Sequence, residues 1–113
     1  MISSSKHNSP HYTWGNNCEG WRLLDSPSLS VIHERMPPAM SEVKHYHEKA
    51  QQFFFILSGT ATFYFEDEMV QVNEKEGLHI PAGKIHQIKN ESAEAIEFLV
   101  ISEPTTKEDR INN

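Results

Sequence analysis

The stretch Glu42-Val43-Lys44-His45-Tyr46-His47-Glu48-Lys49-Ala50-Gln51-Gln52, read together with Pro81-Ala82-Gly83-Lys84-Ile85-His86, decides what this chain folds into. Two histidines at i and i+2 on a strand project from the same face, about 7 Å apart along the backbone. A third, His86, follows about 40 residues later at the end of a Pro-Gly turn, where a closed sheet would bring it alongside the first two. Neutral imidazole is the commonest nitrogen ligand of Zn, Fe, Ni and Cu. The spacing therefore predicts that His45, His47 and His86 converge on one metal ion inside a small β-barrel.

Outward from these segments the chain reads as short strands. Leu29–Met36 is a strand stopped by Pro37-Pro38, and Glu42–His47 carries the first two histidines. Gln52–Leu57 is apolar on both faces and is expected at the centre of a sheet. Ser58-Gly59 turns the chain into Thr60–Phe65, rich in β-branched and aromatic residues, and the acidic tip Glu66-Asp67-Glu68 closes a hairpin. Met69–Val72, Gly77–Ile80, Ile85–Lys89 and Ala95–Ile101 complete the set. Turn signals recur throughout and no segment keeps a 3.6-residue period, so an all-β barrel or sandwich is expected.

A chain of 113 residues holds one domain with one core. Its 37% apolar residues are lean but concentrated in residues 53–65 and 96–101. Ten basic against sixteen acidic residues give a net charge of −6, which leaves no basic stripe for nucleic acid or for an anionic membrane surface. The longest apolar run, Phe53–Leu57, is too short to span a bilayer, and Met1–Lys6 has no apolar stretch of signal length. Cys18 is the only cysteine, so no internal disulfide forms. Together these absences set a cytoplasmic expectation.

Three zones follow. Residues 1–28 read as a loose polar arm (to His11) and an aromatic docking segment, residues 29–101 as the barrel, and residues 102–113 as a polar tail that frays. Trp14, Trp21 and the apolar faces of Phe53–Leu57 offer more hydrophobic surface than so small a barrel needs, which predicts a homodimer.

Over roughly residues 29–101 the chain resembles the cupin superfamily. In the first family motif Ala39 stands at a glycine position, His45-x-His47 and Gln52 follow, and Gly59 closes it. In the second, Lys75 stands at a glycine position, followed by Pro81-x-Gly83, His86 and Asn90, with the family spacings kept. The resemblance implies a single-domain jelly-roll barrel, usually dimeric, with a divalent metal (Zn, Fe, Ni or Mn) in its mouth. It implies His45, His47 and His86 as ligands, with Gln52 where many cupins place a glutamate. With Gly77 two residues from Lys75, that turn is expected to be rebuilt there.

Glutamine can coordinate through its amide oxygen but brings no negative charge. A three-histidine, one-glutamine site would leave a divalent ion uncompensated and favour an oxyanionic ligand such as a carboxylate, enolate or sugar acid. Glu48 is a rival fourth ligand, although strand parity points it away. His79 alternates with Leu78 and Ile80 and lines either the cavity or the dimer surface. One parity set of the first barrel strand faces the cavity, either Val31, His33 and Arg35 or Ile32, Glu34 and Met36. Phe53, Phe54, Phe55, Phe63 and Phe65 read as core and subunit packing, with Tyr64 a candidate hydrogen-bond donor at the cavity wall. His7 and His11 are expected in solvent, and Cys18 reads as inert.

Two functions fit: an isomerase, lyase or dioxygenase acting on a metal-held anion, and a non-catalytic small-molecule-binding or sensor domain. The glutamine resembles that of small cupins that open unsaturated uronate rings. Those enzymes carry an acidic residue on the last barrel strand, where this chain has Phe98-Leu99-Val100-Ile101. No base is evident beside the ligands. A third possibility is a metal that merely ties the barrel together.

Overall fold

The computed structural model describes all 113 residues and contains no helix. Its strands are β1 (His11–Trp14), β2 (Cys18–Asp25), β3 (Ser30–Met36), β4 (His45–His47), β5 (Gln51–Ser58), β6 (Ala61–Tyr64), β7 (Met69–Val72), β8 (Gly77–Ile80), β9 (Gln87–Lys89), β10 (Ile96–Glu103) and β11 (Arg110–Asn112). One wall is a six-stranded antiparallel sheet in the order β1-β2-β3-β10-β5-β8. The facing wall is built from β7-β6-β9 and β11-β4, stitched together by single bridges between Ser41 and Lys89 and between His45 and His86. The expected all-β barrel is what forms.

Strand parity fixes what faces inward. In β5, Gln52, Phe54 and Ile56 are buried, and in β10 Ile96, Phe98, Val100 and Ser102 are buried. Glu34 pairs in register with Phe98, and Met36 is fully buried, so Ile32, Glu34 and Met36 form the inner face of β3. The core lies between the walls, where the Phe54 ring packs edge-on against Phe63 at 5.1 Å and tilts against Phe98 at 5.9 Å. Burial of each such ring contributes about 2 kcal/mol. The motif residue Asn90 ties the ends together: its Nδ2 donates to the carbonyls of Met36 (3.0 Å) and Glu94 (2.8 Å).

Both ends of the chain are more structured than their polarity suggests. The aromatic docking segment is the β1-β2 hairpin, which turns at Gly15 and Asn17 (φ 54° and 64°) and continues the large sheet beyond β3. The arm before it is pinned rather than loose, with Ser4 Oγ donating to the Leu23 carbonyl at 2.7 Å. The tail does not fray. Asp109 is buried and accepts amide hydrogens from Lys49 (3.1 Å) and Ala50 (2.9 Å), which caps the β4-β5 turn and delivers β11 to the edge of β4. A single aspartate four positions before the end of a polar tail carries no periodic signal, so this clasp is not visible in the sequence pattern.

The two lost motif glycines keep their backbone shape. Ala39 and Lys75 both have φ 66°, the left-handed conformation that favours glycine. The turn is not rebuilt at Gly77, which instead lies in β8 and leaves room for the Phe53 ring: a Cβ there would approach Phe53 Cζ to 2.3 Å. No helix is long and apolar enough to cross a membrane.

Candidate metal centre

His45 and His86 lie directly opposite one another on antiparallel backbone, exchanging both N–H···O bonds at 3.0 and 2.9 Å. Their ring centroids are 4.4 Å apart, and His47, on the same face of β4, places its ring 4.9 Å from His45 and 6.1 Å from His86. One nitrogen from each ring can be chosen so that all three lie within 4.8 Å of one another. The Pro-Gly turn aims the third ring: Gly83, at φ 82°, donates its N–H to the His47 carbonyl at 2.7 Å. The expected convergence of these three imidazoles is therefore present.

The rings are held in a ligand-ready state. Nδ1–H of His45 donates to the Val43 carbonyl at 2.7 Å, and Nδ1–H of His86 donates to the Lys84 carbonyl at 2.8 Å. Both bonds reach back two residues and leave the Nε2 lone pair free, the arrangement typical of metal-bound histidine. Burial pulls His45 and His47 down to about 4 and lowers His86 as well, so all three are neutral near pH 7. They are 3%, 5% and 1% exposed. His86 Nε2 and His47 Nδ1 are buried with no hydrogen-bond partner. Unpartnered buried nitrogens are costly unless something fills them, and an ion would suit this donor set.

Gln52 faces inward from β5, on the opposite wall. Its Nε2 donates to Ser102 Oγ at 3.1 Å, and its buried Oε1 has no partner, as a ligand oxygen would. Glu48 is exposed and stands outside the cluster. His79 points outward and is exposed, 2.9 Å from Gln51 Oε1. Tyr64 does not line the cavity: its hydroxyl donates to the exposed Glu91 at 2.7 Å, because Tyr64 has outward parity on β6. His33 is on the outer face of β3, 2.7 Å from Glu97 Oε1. His11 lies at the outer edge beside Trp21. His7 is exposed, and Cys18 is buried, with burial pushing its thiol up to about 11, consistent with an inert role.

Sequence reading missed a second polar group inside the barrel. The Tyr12 hydroxyl donates to Glu34 Oε2 at 2.9 Å, and burial together with the Glu42 carboxylate pushes Glu34 up to about 8. Arg110 from β11 binds Glu42 at 2.6 Å, and its positive charge bears on all three histidines. The signal for Glu34 was present in its parity with Met36, but nothing in the sequence fixed which parity was inner. None of the three cavities is lined by the histidines, although the second includes Gln52. The largest, about 420 Å³, runs along Met40, Ser41 and Lys89. A second, about 230 Å³, opens on the outer sheet face at Phe53, His79 and Ile101.

Comparison with known proteins agrees with this picture. The family model described as the cupin domain matches residues 32–102. The chain is 31% identical over 62 residues to quercetin 2,3-dioxygenase of Bacillus subtilis (strain 168), covering 55% of this chain and 18% of that protein. It is 30% identical over 81 residues to an uncharacterized protein of Aquifex aeolicus (strain VF5), covering 72% and 65%. The chain thus spans less than two thirds of the length of either relative. Among solved structures it is similar to the polyketide cyclase RemF of Streptomyces resistomycificus (TM-score 0.85, 17% identity, 99% of this chain and 84% of that one). It is likewise similar to KdgF from Halomonas sp. (TM-score 0.84, 11% identity, 95% and 98%). A sugar phosphate isomerase from Silicibacter pomeroyi DSS-3 also matches (TM-score 0.78, 17% identity, 92% and 76%). At these identities the structural likeness is one of fold.

Proposed function

The chain belongs to the cupin-domain family, and from that premise we propose that it holds a divalent transition metal on His45, His47 and His86, with Gln52 as fourth ligand, and binds an anionic small molecule there. The observation that carries this reading is the set of three buried, neutral imidazoles whose nitrogens lie within 4.8 Å of one another. A divalent ion in such a site supplies Lewis acidity toward a ligand oxygen. The protein's own donors are all neutral, so they leave that charge uncancelled, and a carboxylate or enolate restores the balance. The similar proteins named above include a dioxygenase, a cyclase and an isomerase, so one fold serves several reactions and the reaction type is open.

The test is metal uptake followed by ligand discrimination. Elemental analysis should find one ion per chain after loading with Zn, Fe, Ni or Mn, and His47→Ala should abolish it. The loaded protein should bind pyruvate at least about tenfold tighter than its neutral amide; equal affinities would overturn the anion preference. Near-complete enclosure of the rings favours a second reading, a binding or sensor domain without turnover. Ligands from a panel of uronates, keto acids and diphenols that raise Tm yet do not react would support it.

The outer face of the large sheet belongs to the same proposal. Phe53 is 41% exposed there, beside Leu29 and Ile101, and a second copy of the chain would cover it. Sedimentation at micromolar concentration should give a dimer, and a monomer would refute the contact.

A further inference from the structure

β4 carries two of the three imidazoles on only three residues, and little backbone holds it on its inner side. There it meets the His45–His86 exchange and the Gly83 N–H that reaches the His47 carbonyl. On the other side every residue of β4 pairs with β11: His47 opposite Arg110, Tyr46 opposite Ile111 and His45 opposite Asn112. The pairing runs past both ends of the strand. Glu48 donates its N–H to the Asp109 carbonyl at 3.4 Å, and Asn113 donates to the Lys44 carbonyl at 2.9 Å. Without β11, the strand bearing His45 and His47 would be a short open edge.

Two adjacent residues also grip the ends of β4 by their side chains. Directly opposed residues of an antiparallel pair project to the same face, so Arg110 and Asn112 stand on the face that carries the histidine rings. The Arg110 guanidinium is fixed at three points. Its Nε donates to Asn112 Oδ1 at 2.8 Å, Nη1 to Glu42 Oε1 at 2.6 Å, and Nη2 to the Val43 carbonyl at 3.4 Å. That same carbonyl takes the Nδ1 hydrogen of His45 at 2.7 Å and so sets how its ring lies. Beyond His47, the Asp109 carboxylate takes the amides of Lys49 and Ala50. The dipeptide Asp109-Arg110 therefore fastens the chain just before the first ligand and just after the second.

We propose that residues 109–113 form a clamp that positions the metal ligands, so that docking of this segment and ion binding at His45, His47 and His86 strengthen one another. Arg110 is its positioning residue. An ion that fixes two rings also fixes the backbone beneath them, and that ordering costs less where the backbone is already held. By linkage the converse has the same size: histidines fixed by an ion give β11 a settled edge to pair with. Within the segment only Asp109 is buried, so it opens more readily than the core strands and its docking is free to respond.

The inference rests on the metal reading, and its test tells the two apart. Amide exchange of residues 110–113 is followed by NMR in wild type with and without saturating nickel, with β1, at the far edge of the large sheet, as reference. Nickel should slow exchange across 110–113 by about tenfold beyond any change in β1. In calorimetry Arg110→Ala/Ile111→Pro, which removes the guanidinium and a backbone donor of β11, should bind nickel about tenfold more weakly, the same coupling read from the other side. A segment that merely adds stability would lower the Tm of the metal-free variant and move neither quantity. Should the variant fail to fold, the wild-type exchange decides alone. Equal changes at 110–113 and β1, or wild-type nickel affinity in the variant, overturn the clamp while the metal site stands. A wild type that takes up no nickel overturns the metal reading and this inference together.

Discussion

Histidines line two regions of this molecule, and the regions behave differently. On the outer face of the large sheet, His11, Trp21 and His33 form a cross-strand row, with ring centroids 5.3 Å apart at each step. There each imidazole has a carboxylate beside it, Glu19 for His11 and Glu97 for His33. Inside the barrel, His45, His47 and His86 have no carboxylate partner, turn their Nδ1 hydrogens to backbone carbonyls where the geometry allows, and keep nitrogens unpartnered. The same side chain is a carboxylate-paired group in one place and a buried, neutral imidazole without a carboxylate partner in the other. What separates them is which way strand parity points the ring, and whether burial removes water as a competing partner.

The largest expected effect breaks this contrast at its inner side. His86→Ala or His47→Ala should abolish metal uptake and with it the rise in Tm that metal gives wild type, worth about 3 kcal/mol at a metal concentration a hundredfold above Kd. His33→Ala, on the outer side, should leave uptake unchanged. If His33→Ala lowered it equally, the inner cluster would not be the site.

Next in size is the Asp109 clasp that seats β4. Asp109→Ala strands the Lys49 and Ala50 amides and should cost about 1–3 kcal/mol in urea unfolding. Burial raises the Asp109 carboxyl, but the Ala50 and Lys49 amides outweigh it and hold the group below its ordinary value. Its contribution is therefore present above the unfolded carboxyl pKa and lost as pH falls through the lower folded one. An Asp109→Ala protein as stable as wild type would show that the tail only rests on the barrel.

A pH series sharpens the contrast further. In metal-free protein the folded state protonates His45 and His47 near about 4, whereas the unfolded chain does so near 6.5. Between those values the unfolded state binds more protons, so stability is full above about pH 6.5 and falls as pH drops toward about 4. His45→Gln should flatten part of that slope when unfolding is followed by urea at each pH. A slope unchanged in that variant would mean other groups carry it.

The smallest effect concerns the departed glycines. Ala39→Gly and Lys75→Gly should each raise stability by about 1 kcal/mol, because both positions have φ 66°. A loss at either site would mean that the side chain there makes up for the strain.

The all-β class, the strand set and the three-histidine cluster were legible because they rest on short-range rules: alternation along a strand, turn chemistry at Pro81-Gly83, and motif spacing. Strand ends were legible only approximately. The segment before His45 looks like regular strand, yet it pairs only through isolated bridges, Ser41 with Lys89 of β9 and His45 with His86 just before β9. Tyr64, a candidate for the cavity wall, faces outward instead, since the apolar run around it alternates too weakly to fix parity.

The amino-acid sequence alone therefore determined the kind of fold and the identity of the three imidazoles, because i, i+2 spacing and a Pro-Gly turn act locally. Only the tertiary structure decided that Glu34 rather than His33 faces inward, that Tyr12 reaches it over Gly20, and that Asp109 returns to cap the β4-β5 turn. Those pairings join residues up to 64 positions apart, as Glu34 and Phe98 are. Their register is set by how the whole set of apolar faces closes on itself, which no local window contains.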